Sequence, residues 1–265
     1  MIRRSMAILA WLIGGHAILG GLYWALLQTP ESNVFTLAVS ALLVIGMLLW
    51  VSIVEGVGLL AWRRARPMRG LLADILRRVW WVVPALLVFG AVWWATGALF
   101  AYFAAHAGEI DAWFIANAGW VRTAWLHTTI GWVLYFVRFA MGLSLALALL
   151  AAGLRGGASG AASFVWVRRA LSWRTLVTVS AAMFAIWAGP WQLAYWRPAS
   201  LPSTWAQPAF AGAKLCVLFV VMNALWMVVL WAVGQEASRS AAEAVEATPE
   251  RAARGPQPSD EATQP

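Results

Sequence analysis

The sequence predicts an all-α, polytopic integral membrane protein with six transmembrane helices and both termini in the cytoplasm. Three observations lead there. Of 265 residues, 62% are hydrophobic and 11% charged, with mean hydropathy +0.73, whereas a soluble domain carries about 25% charged residues. Apolar runs of about 20 residues, enough to cross the hydrocarbon of a bilayer, recur along the chain. Arginines gather between alternate runs, which orients the chain by the positive-inside rule.

The first helix follows Arg3 and Arg4 and occupies residues 7–27. Its apolar run is longer than a signal-peptide core and no small-residue cleavage site closes it, so it is expected to stay on the protein. Thr29 to Asn33 form a short external turn. The second helix returns through residues 35–62, where Glu55 is the one ionisable side chain; the next sixteen residues hold six arginines and one aspartate. That basic linker, 63–78, carries Leu71, Leu72, Ile75 and Leu76 as an apolar stripe and is expected to lie along the inner surface.

The third span is residues 79–103, with Trp80 and Trp81 at its inner interface and Pro84 early enough to cost little. An external aromatic segment, 106–128, interleaves Trp113, Trp120 and Trp125 with polar residues as an amphipathic cap. The fourth span, 129–152, contains Arg138. A second basic cytoplasmic linker, 154–174, holds the small-residue run 156–163 and Arg168, Arg169 and Arg174. The fifth span covers 175–196, with Gly189 and Pro190 set to bend or end it, and the sixth covers 211–233. The domain thus ends at residue 235, and 236–265, rich in Ala, Glu and Pro, is expected to be a disordered cytoplasmic tail.

The net charge of +8 divides into +11 over residues 1–235 and −3 over 236–265. Positive charge beside apolar spans points to anionic lipid headgroups, and no nucleic-acid-binding motif accompanies it. The lone Cys216 forms no intrachain disulfide and supplies no CxxC site. A bacterial inner membrane suits this composition.

Charged groups inside the slab are the candidate site. Arg138 lies about 14 Å from the outer end of its span and Glu55 about 10 Å from the inner end of its own, at about 1.5 Å rise per residue. A charge at that depth is costly and is expected to face the bundle interior or a partner. Opposed helices and a long arginine side chain make Glu55–Arg138 the expected pair, either a registry-fixing contact or part of a polar cavity. His16, flanked by Gly14 and Gly15, is expected near that site. Trp113, Trp120 and Trp125 form a possible external aromatic surface, and Asp111 is within reach of His127.

Gly157-Ala158-Ser159-Gly160 resembles the GxSG segment of rhomboid intramembrane proteases over four residues. That resemblance implies a histidine from another helix beside the serine. The last span has none, so the segment is expected to be a small-residue turn. No metal motif, GxGxxG or Walker sequence is present, and no cofactor is implied. Two function classes follow: an integral membrane assembly or accessory protein meeting a membrane protein partner, or a small transporter or permease subunit using Glu55, Arg138 and His16.

Overall fold

The computed structural model describes residues 2–30, 32–62, 68–119, 123–195 and 205–253, all of them in helices or the turns between them. The helices are α1 (Ile2–Gln28), α2 (Val34–Leu60), α3 (Met68–Arg77), α4 (Val82–Ala105), α5 (Ala107–Ala118), α6 (Ala124–Tyr135), α7 (Leu143–Ala162), α8 (Val165–Ala170), α9 (Trp173–Tyr195) and α10 (Ala206–Ala253). A 3₁₀ turn, Val79–Trp81, leads into α4, and a π-helical stretch, Phe136–Gly142, joins α6 to α7. Five segments are long and apolar enough to cross a membrane: Arg3–Gln28, Val34–Leu60, Val79–Ala105, Ala124–Ala162 and Ala206–Gln235. They mark a multi-pass membrane protein. The remaining long helix, α9, packs along α10 but is diluted at its end by Gly189, Pro190, Trp191 and Gln192.

Local chemistry sets the boundaries. Asn33 caps α2 reciprocally with Thr36: its Oδ1 accepts the Thr36 amide at 2.9 Å, and Thr36 Oγ1 accepts the Asn33 amide at 3.2 Å. Gly119 closes α5 in the left-handed conformation. At Gly157 the backbone takes φ 59° and ψ −141°, a region open essentially to glycine, and the chain kinks there. It then folds back so far that Gly160 sits against the Ala152 carbonyl. Arg78 donates to the carbonyls of Leu154 and Arg155 just ahead of the kink, placing positive charge on helix-terminal acceptors.

The tightly packed core lies at one end of the bundle. It joins Ile8 and Leu12 of α1, Val54 to Leu59 of α2, Ile75 of α3, Ala146 to Leu154 of α7 and Val229 to Val233 of α10. This is the end where the arginines cluster. Small residues let the backbones approach: Gly58 receives Leu230, and Gly153 lies flat beneath the Trp81 indole.

Four features differ from the sequence expectation. The fourth crossing is longer than 129–152, because α6, the π stretch and α7 run on from Ala124 to the kink at Gly157. Within the basic linkers, α3 buries Ile75 completely against the bundle, and 154–174 is largely helical; residues 63–67 lie outside the described set. The region expected to be a disordered tail continues as helix to Ala253, consistent with its many alanines, the strongest helix former. Residues 254–265 lie outside the described set. Fourth, α9 does not reach the hydropathy of the other crossings, because of the residues at its end named above.

Gly153→Ala places a methyl where the Trp81 ring stands, 2.3 Å from the nearest ring carbon. Overpacking of this kind costs about 1–3 kcal/mol. The expected outcome is a lower unfolding midpoint in detergent, with Gly14→Ala, which meets nothing within 4 Å, unchanged as the control.

Candidate functional site

Three helices bring four polar side chains together inside the bundle. α1 supplies His16, α2 supplies Glu55, and α10 supplies Asn223 and Trp226, three residues apart on one helical face. Trp226 Nε1 donates to Glu55 Oε2 at 2.8 Å, and His16 Nε2 stands 3.1 Å from Glu55 Oε1. Asn223 Nδ2 donates to the Phe219 carbonyl at 2.8 Å, so its Oδ1 is the atom facing His16 Nδ1 at 2.6 Å. His16 Nδ1–H is therefore a donor. Trp50 Nε1 ties the same place together by donating to the Gly15 carbonyl at 2.8 Å.

With Nδ1–H donated to Asn223, a hydrogen bond between His16 Nε2 and Glu55 Oε1 requires one proton between those two atoms. The pair is either imidazolium and carboxylate or imidazole and carboxylic acid, and its net charge is zero in both. Glu55 is 6% exposed and Asn223 4%. At such burial a polar group is tolerated only when hydrogen-bonded, and here each is. Beside the cluster opens a crevice of about 530 Å³ between α1, α2, α9 and α10. Its walls include Leu19, Met47, Met183, Met222 and Phe219, and His16 and Asn223 stand at its polar edge. Among the described residues no group of three or more His, Cys, Asp or Glu is placed to hold a metal ion.

Of the residues singled out in the sequence, His16 and Glu55 meet. Arg138 does not join them, which corrects the expected Glu55–Arg138 pair: Glu55 has both oxygens engaged by α1 and α10. Arg138, in the π stretch, turns to α4 instead. Its Nε donates to Thr96 Oγ1 at 3.0 Å, its Nη2 to the Trp93 carbonyl at 3.4 Å, and its guanidinium carbon lies 4.2 Å from the Trp93 ring centroid. Asn223 and Trp226 were not foreseen. Their signal in the sequence was an amide within the last apolar run and an indole one turn later.

Asp111 of α5, outside the membrane-crossing segments, accepts from His127 Nε2 at 2.8 Å and fastens α5 to the start of α6. Trp113 and Trp125 are half-exposed or more, Trp113 packing edge-on against Phe114; Trp120 lies outside the described residues. Ser159 Oγ donates to the Gly156 carbonyl at 2.8 Å within the fold-back, as a turn-forming serine does. Comparison with protein-family models, with curated proteins and with solved structures finds no match to this chain.

Glu55→Ala removes the acceptor for Trp226 and the partner of His16, and breaking a buried pair from one side costs about 3–5 kcal/mol. We expect a marked loss of detergent stability, recovered only in part when His16→Leu is added, because the second change removes the unpaired imidazole but leaves Trp226 Nε1 and Asn223 Oδ1 without these partners. A second prediction concerns pH. The hydrogen bond from His127 holds the Asp111 carboxyl below its ordinary range. The contact therefore stabilises fully above the ordinary carboxylate range and is lost as pH falls through the lowered value. Hydrogen exchange in α5, corrected for intrinsic rates, should quicken on acidification, and Asp111→Asn should remove that pH dependence.

Proposed function

We propose that this chain is an integral membrane assembly or accessory protein, with six crossings, both termini cytoplasmic, and a bacterial inner membrane as its location. The sixth crossing in this reading is α9, whose 23 residues suffice in length and which packs along α10. Counting α9 brings the carboxyl-terminal end of α10 to the side of the basic segments 63–78 and 154–174, where these meet anionic headgroups.

One observation carries the functional reading. The intramembrane polar groups spend their hydrogen bonds on one another, and the space open beside them is apolar. Such an arrangement pins helices in register and leaves a crevice for an apolar group of a partner or lipid, rather than a wet path for a polar solute. The second reading is a small transporter or permease subunit; the position of His16 and Asn223 at the crevice edge favours it.

Purification in mild detergent with intact-complex mass measurement tests the choice. The expected result is a stable heteromer that Gly20→Phe, which fills open crevice space, dissociates without unfolding the chain. A lone polypeptide whose solute uptake depends on Glu55 would select the transport reading. Cysteines introduced at positions 66 and 168 should label from the same face of the membrane.

A further inference from the structure

We propose that the Arg138 guanidinium is a docking point for a transmembrane helix of a different protein, one carrying an aspartate or glutamate near mid-membrane. The inference rests on the assembly reading and names the chemistry of the partner. Arg138 lies on the α4 side of the bundle, over Gly97, whose added Cβ would stand 3.4 Å from Nη2. Thr96, its hydroxyl partner, is about nine residues from the Ala105 end of α4, or roughly 14 Å along the helix. That depth is far from either headgroup layer of a core about 30 Å thick.

Among the described residues, the partners of Arg138 are all neutral. Thr96 Oγ1, the Trp93 carbonyl and the Trp93 ring take Nε, Nη2 and the cationic face, and Nη1 makes no hydrogen bond among the described residues. Thr96 also donates to the Val92 carbonyl at 2.7 Å, so its one hydroxyl proton is committed within α4. The arrangement orients the guanidinium and leaves its positive charge without a carboxylate.

The chain has no second acid to offer, which fixes the kind of occupant. Glu55 is the one acidic residue within the six apolar segments, and it is buried and engaged by His16 and Trp226. A second copy would present the same buried Glu55 and another Arg138, so self-association places like charges together. The apolar side chains around Arg138 are satisfied by lipid; the cation is not. Charge complementarity therefore selects a foreign helix with a carboxylate at matching depth.

The test uses the full chain reconstituted in zwitterionic vesicles, with a fluorescent polyleucine helix bearing one central glutamate as probe and its glutamine counterpart as reference. Energy transfer should show the glutamate helix binding about threefold to thirtyfold more tightly, the span of polar contacts between membrane helices. Arg138→Gln should erase that preference and Arg138→Lys retain part of it, with the unfolding midpoint of each variant measured alongside. Equal binding of the two helices, or a preference that survives Arg138→Gln in a folded variant, overturns the proposal. So does Arg138-dependent binding of labelled phosphatidylglycerol with no helix preference, which assigns the site to a lipid headgroup. If the preference is absent while intact-complex mass still shows a heteromer, the assembly reading stands and its interface lies elsewhere.

Discussion

A carboxylate cannot be left alone in hydrocarbon, and the placement of Glu55 governs how this bundle closes. Its two oxygens face α1 and α10 at once, so the three helices are held in one register by the need to satisfy a single side chain. The contact is local, yet its reach is long: His16 and Trp226 are separated by most of the chain. Around it the backbones come close at Gly15 and Gly58, where a larger residue would collide with Val54 or Leu230. Polar demand and small-residue packing thus act on the same helix pairs.

The bundle is not equally tight along its length. Buried residues concentrate at the arginine-bearing end, where α3, α8 and the fold-back after Gly157 add short elements between the long helices. Arg78 belongs to this region as a structural group, capping α7, in addition to carrying topogenic charge. Toward the other end the helices separate, and the crevice opens between α1 and α10 with the polar cluster at its floor. The site exists because close packing stops there.

Much of this was legible from residue patterns. Apolar run lengths located the long helices, and the ionisable residues within them located the chemistry. Partnering was not legible, because periodicity fixes what faces inward and not which helix faces which. Glu55 and Arg138 have opposite charges and compatible depths, but an imidazole on α1 and an indole on α10 are the groups that meet Glu55. Charge draws the eye in an apolar run, whereas Asn223 and Trp226 look like ordinary interior residues until the fold aligns them. Similarly, Gly156 to Ser163 suggested a loose connection, and only the backbone turn at Gly157 reveals a packed reversal with Trp166 Nε1 donating to the Ala161 carbonyl.

The shared proton on the His16–Glu55 line has an electrical consequence. Whichever atom holds it, the pair presents no net charge, so a voltage across the membrane acts on it only as a small dipole. Arg138 is different in kind: a fixed elementary charge carried across the full field exchanges about 2.3 kcal/mol per 100 mV. The same bilayer potential that only torques one buried ionic site therefore exerts a steady force on the other.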